Sequence, residues 1–269
     1  MPIISKISVQ KKDKERYNIF FSTGETDEYA FSVSEEVLIE HDLRKGKELS
    51  TEDIERILNR ETIQKAYRLA LQFLSYRMRS EKEVQTYLTE RDFSEETVLE
   101  VLRRLRERKY VNDEEFTKAY INTQINTTDK GPKLIQNGLR EKGISNHLIE
   151  EYMTLFVEEV QLEKAMKLCK KVAGKKKNVS TIQLRKDMQT VLMRKGYEQR
   201  TIQEAIAISM EEIDEAQNES AIIVQGEKAL RKYRNEPIDK QKLKIKQYLY
   251  RKGFSLDTID RFIEERIEE

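Results

Sequence analysis

The chain has 269 residues, of which 37% are charged, with a formal net charge of +1, one cysteine and no tryptophan. This composition is typical of long, surface-rich helices and argues against one thick spherical core. Because the sequence has no apolar run of about 18 residues, no signal peptide and only Cys169 as a thiol, we expect a cytoplasmic protein without membrane spans or disulfides.

The N-terminal part predicts a small antiparallel β-meander followed by short helices. Its β-branched and aromatic segments are separated by turn-forming stretches and lie at 7–10, 17–21 and 29–33. Ser34 is a suitable N-cap for the first of the two helices that follow, and Ser50 or Thr51 for the second. We interpret residues 1–60 as a separate module that either shields one end of the remaining chain or serves as a docking module.

Further along the chain, an eleven-residue string recurs with its apolar, basic and glycine positions in register. The copies are LTERDFSEETV, LREKGISNHLI, LMRKGYEQRTI and LYRKGFSLDTI, which begin at Leu88, Leu139, Leu192 and Leu249. The string predicts a helix that ends at a left-handed glycine, after which an apolar residue packs back on the leucine. The next helix starts at once from a polar N-cap.

Two copies depart from this pattern, and the spacing of all four defines a larger unit. Asp92 replaces the glycine in the first copy, and aspartate adopts the left-handed conformation more readily than most residues. Glu198 replaces the serine cap in the third copy and is a poorer cap. Each interval between copies contains one further amphipathic stretch, so the predicted unit has three helices.

The predicted fold class is therefore mainly α, an elongated tandem array of three-helix repeats with a small N-terminal β-meander plus helix module. In such an array each repeat buries its apolar face against its neighbours. We place the four repeats at 61–112, 113–160, 161–211 and 212–269.

Residues that could carry catalysis are sparse. His41 and His147 are interpreted as exposed residues at helix ends, and no Cys/His spacing matches a zinc site. The segment 174–180, GKKKNVS, lacks the second glycine and the G-K-[ST] ending of a phosphate loop. We expect no enzyme activity, no cofactor and no bound metal.

The nearly neutral total charge hides strongly charged segments. Residues 161–200 carry a net charge of +9, residues 201–220 carry −6, and residues 222–252 carry +7. Basic segments of this kind can bind an acidic partner, although charged helices also simply solvate themselves. The candidate contact residues are Lys130, Lys133, Arg140, Lys142, Lys175, Lys176, Lys177, Arg185, Lys186, Arg194, Lys195, Lys242, Lys246, Arg251 and Lys252.

Several segments of the first two repeats resemble hallmarks of the RecX family, the regulators of the bacterial RecA recombinase. They are a helix start at Arg79, Ser80, Glu81, Glu83 and Val84, a step at Val111, Asn112, Asp113 and Phe116, and a segment at Lys130, Gly131, Pro132, Ile135, Leu139, Lys142 and Gly143. Helix capping and first-turn proline explain much of this set, so a structural role for the hallmarks is favoured over direct contact. Four repeats after a β-rich start are similar to the longer, Gram-positive type.

The resemblance implies a non-enzymatic modulator of homologous recombination and the SOS response. Members of the family bind the groove of the RecA–DNA filament and inhibit its ATPase, strand-exchange and co-protease activities. We accordingly expect a monomer whose partner is the RecA filament, with single- or double-stranded DNA as a further partner. The alternative is a helical repeat protein that binds DNA or RNA directly and nonspecifically, and a third is a passive scaffold.

Overall fold

The computed structural model describes residues 1–11, 13–24, 26–176, 179–211 and 215–267, with the side chains of 215–219 excepted. Three strands come first: β1 (Ile4–Val9), β2 (Arg16–Ser22) and β3 (Asp27–Ser34). The helices up to the second repeat are α1 (Glu35–Glu40), α2 (Thr51–Ser75), α3 (Glu81–Thr89), α4 (Glu95–Glu107), α5 (Asp113–Thr127), α6 (Pro132–Glu141) and α7 (Asn146–Tyr152), followed by a 3-10 turn (Met153–Leu155). The later helices are α8 (Glu158–Lys175), α9 (Thr181–Lys195), α10 (Gln199–Glu211), α11 (Glu215–Tyr233), α12 (Ile238–Arg251) and α13 (Leu256–Ile267).

The N-terminal module is a β-meander packed on helices, as predicted. The strands are antiparallel in the order β1-β2-β3, and Ile19 of β2 pairs with Ile7 on one side and Phe31 on the other. Ile19 and Phe31 are buried together with Val37 of α1 and Ile57 of α2. The meander therefore gains its core from both helices that follow it, because a small sheet cannot bury one face alone.

Helix α2 is longer than the sequence analysis expected. It begins with a capping box between Ser50 and Asp53 and continues to Ser75, so the predicted module end at residue 60 lies inside it. No glycine or proline interrupts residues 51–75, so nothing in the backbone stops the helix. A single helix thus serves both the N-terminal module and the first repeat.

A buried carboxylate connects α2 to the sheet. Glu61 accepts hydrogen bonds from the backbone N–H of Ser34 at 2.7 Å and from the Ser34 hydroxyl at 2.9 Å. The guanidinium of Arg16 donates to the other carboxylate oxygen of Glu61 at 2.7 Å. Because each oxygen of this buried group has a partner, the usual cost of burying a charge is offset.

The helices after α1 follow one another in four groups of three, α2–α4, α5–α7, α8–α10 and α11–α13, and the boundaries of the four repeats stay a prediction. Buried apolar residues cluster within the first, third and fourth repeats, around Val101, Met188 and Ile259 respectively. The mainly α fold with a small N-terminal sheet is therefore confirmed. No helix in the described part of the chain is long and apolar enough to cross a membrane.

The four predicted corners have the predicted backbone geometry. The left-handed residues are Asp92, Gly143, Gly196 and Gly253, with φ between 60° and 85°. At each corner the leucine that opens the string accepts a hydrogen bond from the apolar residue after the corner, at 3.1–3.4 Å. This is the 6→1 bond of the Schellman motif. Asp42 and Lys109 form two further corners of this type, and neither is followed by a helix start that matches the eleven-residue string.

The chain divides into two compact units, Met1–Phe116 and Thr117–Glu269. The first contains the sheet, α1 to α4 and the first residues of α5. The second contains the rest of α5 and all helices from α6 onward.

Candidate functional site

All fifteen basic candidate residues belong to the second compact unit. Lys177 lies outside the described residues, and the other fourteen are described. They do not form one continuous surface. They are divided among the α5–α6 linker with α6, a groove between α8 and α9, another side of α9, and α12.

The groove between α8 and α9 brings together three of the predicted basic residues, Lys175, Lys176 and Arg194. It has a volume of about 530 Å³, and we call it the lysine groove. Its charged lining consists of Asp129, Lys171, Lys175, Lys176, Asp187 and Arg194. Leu168, Val172 and Val191 contribute the apolar part of the lining. Four cations thus face two carboxylates, which leaves a net positive groove.

Ion pairs occupy only some of the cations of the lysine groove. The Lys171 ammonium lies 3.1 Å from a carboxylate oxygen of Asp129, and Lys176 pairs with Asp187. Among the described residues, no carboxylate lies within ion-pair distance of Lys175 or Arg194, and both side chains are exposed. These two cations are available for an acidic partner.

Asp129 lies at the centre of the positive charges. The hydrogen bond from Lys171 lowers the pKa of Asp129, and partial burial opposes this shift. Lys195 and Lys164 lower the pKa further through their charges. Lys164 also donates to the backbone carbonyl of Thr128 at 3.0 Å. Lysines from α8 and α9 therefore surround the α5–α6 linker.

Backbone hydrogen bonds hold this linker against α9. The N–H of Gly131 donates to the carbonyl of Lys195 at 2.7 Å, and the N–H of Lys133 donates to the carbonyl of Gly196 at 3.1 Å. The first turn of α6 thus uses the last carbonyls of α9 as acceptors, and both helix ends lose unsatisfied groups. This contact places Asp129 beside α8.

Tyr197 is an unusual feature close to Asp129. Its side chain is 2% exposed, and its hydroxyl is buried without a hydrogen-bond partner among the described residues. Burial, together with the charge of Asp129, raises the pKa of Tyr197 to about 12. The ring fills the corner between α9 and α10 as predicted, and the hydroxyl stays protonated at neutral pH.

Lys171 and Asp129 are not among the contact residues predicted from the sequence. A spacing signal was present, because Lys164, Lys171 and Lys175 are seven and four residues apart and lie on one face of α8. Nothing local indicated Asp129, since its contact with α8 depends on how the second and third repeats pack.

The other predicted basic residues have different surroundings. Arg140 donates to the side chains of Asn137 and Asn146 at 3.0 Å, which uses part of its guanidinium locally. Arg185 lines a separate groove of about 310 Å³ next to α10. Lys186 is exposed on α9, and Lys130 is partly buried in the α5–α6 linker.

Several lysines in the basic segment 222–252 are engaged in ion pairs at α12. Lys240 and Lys244 share Glu236, and Lys246 lies 2.6 Å from Asp260. Lys242 is partly buried, and Lys142, directly after α6, is likewise partly buried. Arg251 and Lys252 are exposed at the end of the helix. The fourth repeat therefore presents less available positive charge than its sequence indicates.

An acidic groove lies at the other end of α8. It has a volume of about 380 Å³, and Glu158, Glu159, Glu198 and Glu204 contribute to its lining together with Arg200. The acidic residues in the first turn of α8 and the lysines near its end both interact favourably with the helix dipole. The charge separation along α8 thus has a local structural cause.

The hallmark residues of the first repeat have structural roles in this geometry. Ser80 accepts from the N–H of Glu83, and Glu83 accepts from the N–H of Ser80, each at 3.2 Å. Asp113 accepts from the N–H of Glu81 at 2.9 Å, so it also satisfies the start of α3. Asn112 caps α5 by accepting from Glu114 at 2.9 Å. The predicted caps are confirmed.

Family models identify these elements independently. The N-terminal domain model of regulatory protein RecX matches residues 2–50, and the first three-helix domain model matches residues 66–105. The second and third three-helix domain models of RecX match residues 112–153 and 217–263. The chain belongs to the RecX family.

Two relatives that align with nearly the whole chain support this assignment. Regulatory protein RecX of Bacillus subtilis is 43% identical over 265 residues, which cover 98% of this chain and 99% of the relative. Regulatory protein RecX of Bacillus velezensis is 42% identical over 265 residues, with the same coverage. The resemblance identified from the hallmark residues is thereby confirmed.

Solved RecX structures have the same fold. One crystal structure of regulatory protein RecX is 37% identical, has a TM-score of 0.66, and covers 76% of this chain and 98% of its own. RecX from Lactobacillus salivarius is 32% identical, with a TM-score of 0.53 and coverage of 55% of this chain. Residues 154–216 are matched by none of the four RecX domain models. The lysine groove is built largely from α8 and α9, which lie in this segment.

Proposed function

We propose that this chain regulates homologous recombination and the SOS response by binding the RecA–DNA filament. In this proposal it inhibits the ATPase, strand-exchange and co-protease activities of the filament and performs no chemistry itself. Membership of the RecX family supports the recombinase as the partner. The observation that carries the proposal is the lysine groove, whose cations exceed its carboxylates.

The lysine groove supplies the contact because its charge is both concentrated and available. Lys175 and Arg194 are exposed without a carboxylate at ion-pair distance among the described residues. Lys171 and Lys176 already have carboxylate partners and hold the groove in shape. An acidic surface that enters the groove is attracted by Lys175 and Arg194, and the ion pairs of Lys171 and Lys176 stay intact.

The proposed contact is tested with Lys175→Ala combined with Arg194→Ala. We expect the affinity for RecA filaments to fall by about tenfold or more, since a desolvated charge contact contributes roughly 1–3 kcal/mol. The matched control removes two exposed cations from α2, by Arg56→Ala with Lys65→Ala. Equal affinities of wild type and both variants would remove the lysine groove from the proposal.

Direct, nonspecific binding of DNA or RNA is the second candidate function, and the same groove favours it. Lysines that neutralise phosphates release counterions, so the logarithm of affinity for single strands falls with the logarithm of salt by roughly 0.7 per contact. The test measures the affinity for single-stranded DNA at several salt concentrations without recombinase. Tight binding with a steep dependence on salt would favour this candidate. A negligible slope would exclude it.

A further inference from the structure

The first repeat contains a four-membered stack of arginine and aromatic side chains. The rings of Phe73 and Tyr87 are parallel to within 10°, with centroids 4.0 Å apart. The guanidinium of Arg79 lies 4.1 Å from the Phe73 centroid, and that of Arg91 lies 3.6 Å from the Tyr87 centroid. We call this set the arginine stack. It joins the end of α2 to both ends of α3.

The two guanidinium groups of the arginine stack are not neutralised. Among the described residues, no carboxylate lies within ion-pair distance of Arg79 or Arg91, whereas the neighbouring Arg77 pairs with Glu83 at 2.8 Å. The Nε atom of Arg79 is buried without a hydrogen-bond partner. Burial and the charge of Arg77 lower the pKa of Arg79, and the charge of Glu83 opposes this shift. Each guanidinium is held over a ring by cation–π attraction, which restricts where it can move.

Two large apolar side chains next to the arginine stack in the chain are exposed. Tyr76 and Met78, beside Arg77 and Arg79 in the chain, are 77% and 52% exposed. Arginine, tyrosine, phenylalanine and methionine are the residues enriched at protein–protein interfaces, where lysine is depleted. The lysine groove has the opposite cation composition. The two surfaces therefore fit partners of different chemistry.

The rings themselves do not offer a platform for nucleic-acid bases. Phe73 is in contact with both Arg79 and Tyr87, and Tyr87 is in contact with Arg91 as well, so each ring already has two stacking partners. Single-strand binding proteins use uncovered aromatic faces for stacking. What remains accessible in the stack is the hydrogen-bonding capacity of planar, pre-oriented guanidinium groups, which matches the two oxygens of a carboxylate.

We propose that the arginine stack of the first repeat is a docking surface for a carboxylate-bearing segment of a protein partner. This inference rests on the proposed function and deepens it. On the RecA–DNA filament, the arginine stack binds a carboxylate of the recombinase protein. The lysine groove of the third repeat binds an acidic surface of the filament through the positive charge of its lysines. A bidentate carboxylate accepts from the Nη groups, because Nε of Arg79 is buried and Nη1 of Arg91 already donates one hydrogen bond to the carbonyl of Tyr87 at 2.9 Å. The exposed Tyr76 and Met78 add apolar surface next to Arg77 and Arg79 in the chain.

The test compares filament binding with DNA binding for variants of the stack. Arg79→Ala and Arg91→Ala are each expected to weaken binding to assembled RecA filaments by on the order of tenfold, with single-stranded DNA affinity unchanged within about twofold. The matched control is Arg103→Ala on α4, because Arg103 is exposed and pairs locally with Glu100 and Glu107. It is expected to change neither affinity.

Lysine variants separate docking from folding. Arg79→Lys and Arg91→Lys keep the charge but lose the planar fork, so we expect most of the filament affinity to be lost while the melting temperature stays near that of wild type. Full filament affinity in both lysine variants would overturn the bidentate contact. These variants also serve if an alanine variant fails to fold.

The possible outcomes distinguish this inference from the proposed function. If wild type binds filaments and the Arg79 and Arg91 variants bind equally well, the docking inference is overturned and the proposed function stands. If DNA affinity falls as much as filament affinity, the stack binds nucleic acid and the inference is wrong. If wild type binds no filaments at all, the proposed function fails and the inference fails with it.

Discussion

Gly196, at the corner between α9 and α10, has two separate reasons to be glycine. Its φ of +82° is left-handed, where a Cβ is costly. A Cβ built on it would also lie 2.8 Å from the side chain and 2.9 Å from the backbone N of Leu134 in α6. The recurring string predicted the first reason, because it depends on a few neighbouring residues. It could not predict the second, which arises from the packing of another repeat.

We expect Gly196→Ala to destabilise the protein more than Gly46→Ala does. Gly46 has a similar φ of +85° but open space around its Cβ position, so its substitution measures backbone strain alone, about 1 kcal/mol. Gly196→Ala adds overpacking against Leu134, for a total of about 2–4 kcal/mol. Urea unfolding of the two variants provides the comparison, and equal losses would mean that the contact with α6 yields at no cost.

At the scale of elements, one kind of contact connects successive repeats in the second compact unit. The start of α6 donates backbone hydrogen bonds to the end of α9. The start of α9 meets the end of α12 in the same way, because the Ser180 hydroxyl donates to the carbonyl of Lys252 at 2.7 Å. In both cases the second helix of one repeat begins where the second helix of the next repeat ends.

Ser180 therefore serves two helices, and its removal is expected to cost more than the loss of an ordinary cap. Its hydroxyl also accepts from the N–H of Gln183 at 3.2 Å, and the residue is 1% exposed. We expect Ser180→Ala to lower the free energy of unfolding by about 2 kcal/mol. The control Ser255→Ala removes an exposed cap at the start of α13 and is expected to cost about 1 kcal/mol or less. Equal costs by thermal or urea unfolding would contradict the contact with α12.

The Asp129–Lys171 ion pair gives the α5–α6 linker a defined pH dependence. Because the folded-state pKa of Asp129 is lowered from 3.8, its contribution is complete above that value and is lost as the pH falls through the folded pKa. Both side chains are more than a third exposed, so we expect only about 0.5 kcal/mol. Unfolding of wild type and Asp129→Asn should therefore differ slightly at neutral pH and converge in acid. A difference that grows in acid would contradict this assignment.

At the scale of the whole chain, the sequence predicts the architecture better than the binding surfaces. Repeat number, corner geometry and the N-terminal meander follow from signals within short windows, such as Gly253 followed by Phe254. Short windows do not show which basic side chains are free to bind a partner, because the carboxylates that pair with them come from other helices. Lys246 looks like a free cation in the sequence but pairs with Asp260 of α13. The length of α2 was missed because a module boundary was placed where the helix has no stop signal.

The whole-chain account assigns different chemistry to different repeats. Lysines of the third repeat surround a groove, whereas arginines of the first repeat stack on aromatic rings. Several weak contacts on one chain raise the effective concentration of each for a partner with a repeating surface. If both surfaces are contacts as we propose, this distribution suits a filament, whose protomers recur along its length.

The most direct test of this account is the rate of ATP hydrolysis by RecA filaments titrated with the protein at substoichiometric ratios. We predict that wild type lowers the rate progressively, and that Lys175→Ala with Arg194→Ala requires about tenfold more protein for the same effect. The Arg56→Ala and Lys65→Ala control should behave as wild type. Hydrolysis that stays unchanged at every ratio of wild type would contradict the account.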